Sequence, residues 1–583
     1  MKSYVFDIET DDIRATRIWC ISVLDTETEE QFTYGPSELY EGLEMLKKAD
    51  KLIGHNILGF DIPVIKRLTD VDLSNKTIVD TLVLSRLFNP VQELGHSLEA
   101  WGIRLNFPKI KFNRYSEFSM EMLEYCERDV LVNYHAYKHL REVEAKGFSK
   151  KSIDLEHDVA ALIFNQIEHG FLFNLKHAAT LLVRLEVELD ELKKEIQKDF
   201  TAKKKVIEIF PRYNDKGTLL KTGQTIFGKG LRLSETELET LEKEGKVVRV
   251  NVEELNPGSR KQIGKYLQEL GWQPSEFTPT GQPKIDETIL SKISDIPQAA
   301  LFAKYLTLQK RIPMLNTWLK EFNKWPDDRV RGYVNHNGTI TGRMTHYDPN
   351  MAQVPSTSSI YGEEFRSCWI VPKNYKLVGI DASGLELRML AHYMNDQGYI
   401  NEIINGDIHT ANQKLAGLES RDQAKTFIYA LIYGAGNQKL GAVAKGSRRT
   451  GKKLRESFIS NLPSFKRLKN RIEREAATGK IKGLDGRVLL IRKQYSALNT
   501  LLQGAGAIVM KQALVIFNEL TSNLDATVVA NVHDEWQVEV HKDHAEAAGD
   551  LGVQAIIAAG LELNLNCPLD GAFKIGNNWS ETH

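Results

Sequence analysis

A short apolar run that ends in a single acid most constrains what this chain can fold into. Lys376 to Asp381 has the composition of a buried strand, Gly384 interrupts the run, and a helix pattern that carries Glu386 follows. A carboxylate at the end of a buried strand is costly to remove from water unless a partner neutralises it. A hard divalent cation, which takes oxygen ligands, is the cheapest partner. A capping aspartate at a strand-to-helix turn is the commoner explanation of any single acid, so the interpretation needs a second one.

A predicted hairpin supplies that second acid. Strand-like segments precede and follow the turn formed by His533, Asp534 and Glu535. Two adjacent carboxylates on one turn repel each other and favour a nearby cation. If Asp381 and Asp534 meet, they can hold two metal ions roughly 4 Å apart, which is the arrangement used for in-line phosphoryl displacement.

Four more carboxylates occur at separate places in the first 130 residues of the chain. Asp7 and Glu9 lie two apart in a predicted strand and therefore on one face. Asp61 follows a glycine-bearing turn, and Tyr125 and Asp129 lie four apart on one helix face. Two cations, one of which activates water for attack on a phosphodiester, require such a number of acids. Taken singly, each acid is a surface residue or a helix cap.

A cationic stripe marks a helix predicted to start after Ser420 and to end at Gly434. Arg421, Lys425 and Tyr429 recur every four residues along it. Two cations followed by an aromatic ring suit a nucleoside triphosphate laid along the helix, because Arg binds phosphate as a planar fork and Lys as a point charge. A solvated helix face is the alternative.

Together these motifs resemble those of family A, or Pol I-type, DNA polymerases, and the N-terminal acids resemble the DEDD 3′–5′ exonucleases with a tyrosine before the last acid. The resemblance covers nearly the whole chain and implies an α/β multidomain fold. An RNase H-like exonuclease domain precedes a right-hand polymerase domain with an antiparallel-sheet palm and helical fingers and thumb. The implied domains are the exonuclease (1–148), the thumb (149–318, with an irregular insertion near 203–252), the first palm segment (319–384), the fingers (385–498) and the second palm segment (499–583).

The resemblance also implies a role for each motif residue. The catalytic residues are Asp381, Asp534, Glu535 and Lys425 for synthesis and Asp7, Glu9, Asp61, Tyr125 and Asp129 for the exonuclease. The nucleotide contacts are Arg421, Lys425, Tyr429, His409, Glu386 and Tyr433. The metal ligands are Asp381, Asp534 and the Ala382 backbone at one site and Asp7, Glu9, Asp61 and Asp129 at the other. The DNA contacts are Arg343, Gln503, His533, Ser259, Arg260 and Lys261.

The implied cofactors are two Mg²⁺ ions at each site, for which Mn²⁺ can substitute. Primer–template DNA and dNTPs are the implied partners. The phage replicative branch of the family resembles this chain in further segments, and there a long thumb insertion recruits host thioredoxin as a processivity factor. The stretch near 203–252 is shorter here, so thioredoxin binding stays open. A phage helicase-primase and a single-strand-binding protein complete the expected partners.

Composition limits the other classes of protein. The 583 residues predict about four domains. The net charge of −1 means that DNA binding must come from local basic patches such as Lys439–Arg455. Four scattered cysteines without a C-x-x-C pair indicate neither a zinc site nor disulfides. Acids appear at Asp7 and Glu9, after only four apolar residues, so no signal peptide is expected. No apolar run approaches the length of a membrane span, so no membrane partner is expected. The expected location is the cytoplasm, which is that of the host if, as the resemblance implies, the protein is phage-encoded.

We therefore predict a template-directed DNA polymerase that uses two-metal phosphoryl transfer, proofreads with a 3′–5′ exonuclease and replicates a phage genome. One alternative is a repair-type Pol I-like polymerase. A second is a relative of the single-subunit RNA polymerases, which Glu386, as a steric gate against a ribose 2′-hydroxyl, opposes. A third is a nuclease whose C-terminal half only binds DNA, which the complete triphosphate motif opposes.

Overall fold

The computed structural model describes the backbone of residues 2–198, 203–253 and 255–583, and it separates into two compact units. The larger unit comprises Met1–Asn174 and Glu321–His583, and the smaller one comprises Leu175–Lys320. The larger unit contains both carboxylate clusters predicted from the sequence. Each unit is described by itself below.

The N-terminal region of the larger unit is built on a mixed five-stranded sheet. In spatial order the strands are Gln31–Tyr34, Ile18–Asp25, Ser3–Thr10, Lys51–Gly54 and Thr77–Asp80. The first three run antiparallel, and the last two run parallel to Ser3–Thr10, which lies at the centre. The accompanying helices are Leu39–Lys47, Asp61–Thr69, Thr81–Phe88, Leu98–Arg104 and Met120–His139. The predicted α/β architecture of this region is confirmed.

A four-stranded antiparallel sheet forms the base of the C-terminal region. In spatial order its strands are Ala526–Val532, Glu535–His541, Tyr375–Ala382 and Gly571–Gly576. Helices Ala497–Leu520 and Ala545–Glu562 pack on the face that buries Ile380, Trp536 and Val538. The central strand therefore ends, as predicted, in an acid beside a hairpin turn.

A group of helices connects Tyr375–Ala382 to the long core helix. They are Leu385–Met394, Gln397–Ile404, Ile408–Ala416, Arg421–Ile432, Asn437–Val443, Arg448–Asn461 and Pro463–Glu475. A small hairpin, Lys480–Lys482 with Val488–Leu490, follows them. Gly434 takes φ +75° just beyond Arg421–Ile432, as a glycine stop requires. The predicted helical character of this region is confirmed.

The stretch near 203–252 corrects the sequence prediction, because it is a folded sheet and not an irregular insertion. Its antiparallel strands are, in spatial order, Val247–Glu253, Lys203–Phe210, Thr222–Thr225 and Gly230–Arg232. Helix Glu235–Glu244 covers a small core that contains Ile209, Leu233, Leu241 and Val247. Glycines that interrupt the periodicity of the sequence, such as Gly217 and Gly228, take positive φ in the connections between strands.

The rest of the smaller unit is helical. Its helices are Leu175–Lys198, Arg260–Glu269, Glu287–Leu290 and Pro297–Phe322, the last of which runs on into the larger unit. The alternation of apolar and charged residues at helix spacing over Leu181–Phe200 predicts a long exposed helix, and the first of these helices agrees with it up to Lys198. The last two residues of that prediction, 199 and 200, lie outside the described residues.

Within the described residues of the chain, one helical stretch, Gln494–Leu520, is long and apolar enough to cross a membrane by length and composition alone. Of its apolar window, 72% is buried inside the protein. Burial against neighbouring elements is what a core helix of a folded domain shows, and it explains this composition without a membrane.

A buried charge network joins the helix Lys150–His169 to the C-terminal core. The Glu156 carboxylate is fully buried and lies 2.6 Å from both Arg487 NH1 and Lys511 Nζ, and 2.8 Å from His336 Nδ1. Burial disfavours the charged carboxylate, but Lys511 and Arg487 more than offset it and hold the pKa of Glu156 well below its usual range. Removing one partner of such a group leaves uncompensated charge in the core.

Replacing Glu156 by Gln is therefore expected to lower the free energy of unfolding by about 3–5 kcal/mol. Urea unfolding at neutral pH measures the effect. Asp154→Asn on the same helix is the matched control, because the Lys150–Asp154 pair is exposed and such pairs contribute less than about 1 kcal/mol. Equal stabilities of the two variants would contradict the importance of the network.

Candidate active site

The strand end and the hairpin turn meet at one edge of the antiparallel sheet. Asp381 lies directly opposite Glu535 in the strand register. The Ala382 amide donates a hydrogen bond to the Asp534 carbonyl oxygen at 3.1 Å. The backbone therefore brings Asp381 to the adjacent acids Asp534 and Glu535, which lie more than 150 residues further along the sequence. Their convergence is what a carboxylate-bound metal centre requires.

Asp381 and Asp534 have the properties of cation ligands. Asp381 reaches solvent, yet partial burial, followed by repulsion from Asp534 and Glu535, raises its pKa to about 7. Burial, followed by Glu386, also raises the pKa of Asp534. Neither acid has a hydrogen-bonded or ion-paired cation that would relieve this repulsion among the residues that the structure describes. Hard oxygen ligands with unrelieved negative charge fit Mg²⁺.

Glu535 differs from its neighbours because donors already satisfy its carboxylate. Trp579 Nε1 and Gln537 Nε2 donate to Oε1 at 2.8 and 2.5 Å, and His583 Nδ1 lies 2.6 Å from Oε2. Burial opposes its charge, but these hydrogen bonds and His583 lower the pKa of Glu535. Glu535 is therefore held ionised as a support of the hairpin rather than left free to bind.

A cleft opens beside these acids and is lined by Arg343, Glu386, His533 and Asp534. The Tyr433 hydroxyl donates to Glu386 Oε1 at 3.1 Å, and Arg343 NH2 lies 3.4 Å from the same oxygen. The family resemblance implies a bond between Glu386 and Tyr429; the hydrogen bond to Glu386 in the structure comes from Tyr433. The carboxylate of Glu386 is thus fixed at the wall of the cleft.

The cationic face of helix Arg421–Ile432 borders the same region. Arg421 Nε donates to Asp407 Oδ2 at 2.7 Å, and Asp407 also caps the helix that carries His409. The rings of His409 and Tyr429 are 6.5 Å apart. Burial, followed by Arg421 and Lys425, lowers the pKa of His409. The structure therefore brings together the predicted phosphate-binding side chains on one surface.

Lys425 is exposed and makes no ion pair within the stretches of the chain that the structure describes. Its ammonium is available to an anion from solution. The Ser420 hydroxyl accepts from the Gln423 amide at 3.2 Å, as predicted, while the Gln423 side chain accepts from the Glu419 amide instead of from Ser420. The start of the helix is therefore capped by Ser420, but the second bond of the expected capping box is made to the Glu419 amide instead of the Ser420 amide.

The N-terminal acids form a second cluster on the central strand Ser3–Thr10. Ligand atoms of Asp7, Glu9 and Cys126 lie within 4.8 Å of one another, and Asp61 Oδ1 accepts from the Ile8 amide at 3.2 Å. The Cys126 thiol donates to the Asp7 carbonyl oxygen, and Mg²⁺ prefers oxygen to sulfur, so the thiol is a neighbour rather than a ligand.

Repulsion within this cluster is strong. Burial, followed by Asp61 and Glu9, raises the pKa of Asp7 well above its usual range. Burial, followed by Asp129, raises the pKa of Glu9 to about 9, and burial raises that of Asp61 to about 7. Shifts of this kind among clustered acids are typical of a functional site.

Tyr125 and Asp129 lie on the same face of helix Met120–His139, next to the cluster, as predicted. Burial, followed by Asp129, raises the pKa of Tyr125, so its hydroxyl keeps its proton. Asp129 Oδ1 is buried and has no hydrogen-bond partner among the described residues. An unpartnered buried carboxylate oxygen beside three other acids fits a divalent cation.

The predicted DNA contacts are dispersed. Gln503 is half-buried in helix Ala497–Leu520, and His533 is exposed with φ +59° at the hairpin turn. Ser259 caps helix Arg260–Glu269 by accepting from Gln262 at 3.4 Å. Arg260 and Lys261 are exposed at the start of that helix, in the smaller unit. Their roles remain predictions.

Sequence reasoning missed several residues of both sites. Lys109 lies among the N-terminal acids, with its Nζ 2.5 Å from Asp129 Oδ2, and Asp407, Trp579 and His583 hold Arg421 and Glu535. None belongs to a motif. Of these residues, Asp407 could have been predicted from the sequence, because an Asp two residues before His409 is a common helix N-cap.

Comparison with known proteins decides the family. The profile of DNA polymerase family A matches residues 229–581. The chain belongs to DNA polymerase family A. It is 33% identical to the DNA-directed DNA polymerase of Escherichia phage T7, over 99% of this chain and 100% of that protein. The DNA-directed DNA polymerase of Enterobacteria phage T3 is 32% identical with the same coverage of both chains.

The fold of this family A polymerase also matches a solved structure. The polymerase domain of Pol1 from M. smegmatis, in complex with DNA primer-template and dNTP, has a TM-score of 0.76 and 16% sequence identity. The match covers 99% of this chain and 95% of that one. The predicted Pol I-type fold is therefore confirmed, and the protein is a DNA-directed DNA polymerase. Family A polymerases depend on Mg²⁺.

The raised pKa of Asp381 predicts how metal binding to the polymerase acids depends on pH. Metal must displace the Asp381 proton below pH 7, so affinity is expected to fall by roughly ten-fold per pH unit there and to level off above it. Electron paramagnetic resonance of free Mn²⁺, with an Asp7→Ala/Glu9→Ala protein, measures this. Asp381→Asn is expected to bind more weakly and with little slope. A pH-independent affinity below pH 7 in the parent would contradict the prediction.

Proposed function

We propose that this polymerase extends a primer 3′ end on a DNA template by two-metal phosphoryl transfer, and that its N-terminal site is a proofreading 3′–5′ exonuclease. The observation that carries the synthetic role is the convergence of Asp381 with the hairpin turn at Asp534. The second carboxylate cluster, at Asp7 and Glu9, supports the nuclease.

Mg²⁺, when bound, supplies the positive charge that favours ionisation of the primer 3′-hydroxyl and stabilises the triphosphate. Asp381, Asp534 and the Ala382 backbone would hold it. Glu535 keeps the hairpin in place through its bonds to Trp579 and His583. His533, at the turn, places the primer end. Such catalysis consists mostly of positioning and charge stabilisation.

The helix Arg421–Ile432 binds the incoming nucleotide. Arg421, oriented by Asp407, and His409 hold the phosphates, and Lys425 gives a proton to the departing pyrophosphate. Tyr429 meets the base or sugar, and Tyr433 stacks on the templating base. Glu386, fixed by Tyr433 and Arg343, closes the space that a ribose 2′-hydroxyl needs and so selects dNTPs.

Primer–template DNA is the partner that we assign to the predicted DNA contacts. Arg343 and Gln503 probe the minor groove, where every base pair offers acceptors, so correct pair shape is sensed without reading sequence. Ser259, Arg260 and Lys261 contact phosphates from the thumb. We keep the boundaries 1–148, 149–318, 319–384, 385–498 and 499–583 for exonuclease, thumb, palm, fingers and palm.

The similarity to the phage T7 and T3 polymerases supports a replicative role in the cytoplasm of a phage-infected host. A repair role is the second candidate. We infer that replication partners include a helicase-primase and a single-strand-binding protein. The folded sheet near 203–252 is available to a processivity factor, and extension of a primer on long single-stranded DNA, with and without thioredoxin, tests that partner.

Separate loss of the two activities is the central test. Asp534→Ala is expected to lower primer extension by about 1000-fold or more while exonuclease activity on single-stranded DNA stays, because only one carboxylate cluster is damaged. Asp7→Ala is expected to do the reverse. Gel assays with labelled primers measure both.

Asp543→Ala is the matched control, since this exposed acid lies outside the cluster. Undiminished synthesis by Asp534→Ala would overturn the polymerase assignment of the site. Loss of both activities in that variant, with an intact Asp543→Ala protein, would contradict the separation of the two clusters.

Tyr429 is expected to govern the acceptance of chain terminators. Its hydroxyl offers a polar group where a dideoxynucleotide lacks its own, so Tyr429→Phe should raise discrimination against ddNTPs by about 100-fold. The ratio of kcat/KM for dNTP and ddNTP incorporation measures this. Tyr433→Phe removes the bond to Glu386 instead and should affect ribonucleotide selection. Unchanged ddNTP discrimination in Tyr429→Phe would exclude this role.

A further inference from the structure

One lysine outside every recognised motif lies in the N-terminal carboxylate cluster. The Lys109 ammonium is 2.5 Å from Asp129 Oδ2 and donates a hydrogen bond to the Tyr125 hydroxyl oxygen at 2.8 Å. Only 20% of its side chain is exposed. Most surface lysines are mobile and hydrated, so a lysine with two defined contacts inside an acidic cluster needs an explanation.

The backbone around Lys109 is built to hold it there. A side chain at Gly102 would come within 2.9 Å of the Phe107 carbonyl oxygen and 3.3 Å of the Lys109 amide nitrogen, so glycine is what lets the loop approach the helix before it. Arg128 Nε donates to the Pro108 carbonyl oxygen at 2.9 Å. The backbone that precedes Lys109 is therefore held in place by these two contacts.

The residues after Lys109 are fixed as well. Phe112 stacks on the ring of Tyr125 with the centroids 5.4 Å apart. The Trp19 indole donates to the Tyr115 carbonyl oxygen at 2.9 Å. Because the same loop contacts the Tyr125 ring and bonds its hydroxyl, the loop determines where that hydroxyl points.

The donors and acceptors of the two side chains determine the direction of the hydrogen bond between Lys109 and Tyr125. A lysine ammonium has only donors, whereas a tyrosine hydroxyl both donates and accepts. Since Lys109 donates to the Tyr125 oxygen, the Tyr125 hydrogen points away from Lys109 and can be given to another oxygen. The Asp129 carboxylate is one acceptor within reach. With substrate bound, a water or a phosphate of DNA that faces the acids can be the acceptor instead. Without Lys109, the hydroxyl could turn and donate elsewhere.

We propose that Lys109 is a positioning residue of the exonuclease, which acts by orienting the Tyr125 hydroxyl toward the reacting oxygen. The inference rests on the proposed exonuclease function. It assigns Lys109 no part in binding metal, because an ammonium repels a cation. Turnover and metal affinity should therefore respond differently when the ammonium is removed.

The test uses the full chain with Asp381→Ala and Asp534→Ala, which removes the metal ligands of the other site. In this background Lys109→Met is expected to lower the exonuclease kcat on a single-stranded oligonucleotide by at least about ten-fold, with little change in KM. Lys109→Arg, which keeps a donor cation, is expected to recover some of the rate. Lys111→Met, an exposed lysine of the same loop, is the matched control and should cleave normally.

Two further measurements separate positioning from a structural role. Mn²⁺ affinity, measured by electron paramagnetic resonance, should stay equal or increase in Lys109→Met, whereas collapse of the acidic cluster would weaken it. Lys109→Met/Tyr125→Phe should be no slower than Tyr125→Phe, because the two residues act through one hydroxyl.

An unchanged kcat in Lys109→Met, a parallel loss of rate and Mn²⁺ affinity, or additive effects in the double variant would each overturn the inference. Cleavage by the parent protein distinguishes failure of this inference from failure of the proposed exonuclease function. If the parent does not cleave, or if its cleavage survives Asp7→Ala, the exonuclease assignment itself is wrong and the inference falls with it. If the parent cleaves and needs Asp7, only the role of Lys109 is at stake.

Discussion

Repulsion between carboxylates that face each other across an antiparallel ladder is the constraint on which the polymerase site depends. Asp381 and Glu535 are direct cross-strand partners, a position in which like charges destabilise a sheet. The two carboxylates are stabilised to different extents. Glu535 receives hydrogen bonds from Trp579 and Gln537 and stays ionised, whereas Asp381 is exposed and has a raised pKa. The unrelieved charge therefore lies on an exposed carboxylate, as the proposed metal site requires.

The N-terminal site resolves the same conflict by another route. Its acids come from a central strand, a helix start and a helix face. Among the residues that the structure describes, the Ile8 backbone amide donates to Asp61, but no indole or side-chain amide takes up the charge of these acids. Lys109 approaches instead, in contact with Asp129 and Tyr125. Burial opposes the ammonium, but Asp129, Asp7 and Glu9 more than offset it and raise the pKa of Lys109. In the polymerase cluster the stabilisation is thus concentrated on Glu535, through hydrogen bonds and the nearby Arg366, whereas in the N-terminal cluster a lysine contacts Asp129 directly.

The sequence was most informative where local pattern and tertiary structure agree. The acid-ended strand, the hairpin turn at Asp534 and the capped helix after Ser420 all follow from short-range periodicity and turn chemistry, and the structure contains each of them. The stretch near 203–252 was mistaken for irregular chain because its strands are short and its turn glycines look like breaks. The strand pairing, which joins Lys203–Phe210 to Val247–Glu253, is visible only once the chain has folded.

The supporting residues of both sites escaped prediction for a related reason. Trp579 and His583 reach Glu535 from more than 40 residues away, and Lys109 reaches Asp129 from a loop without regular structure. Such contacts depend on tertiary packing, and no spacing rule encodes them. Motif residues touch a ligand of recurring shape, so they recur in recognisable patterns, whereas the residues that hold them can come from anywhere in the fold.

Glu156 also decides where this chain can be divided. It lies beyond the nuclease sheet in sequence, yet its carboxylate is the shared counter-ion of Arg487 and Lys511 deep in the synthetic half. A cut after the helix Lys150–His169 would remove the carboxylate that neutralises Lys511 in the interior, while Arg487 would keep Asp485 as a buried counter-ion. A fragment freed of its nuclease must therefore begin upstream of Lys150, which agrees with the boundary proposed at residue 148 and keeps this helix with the synthetic half.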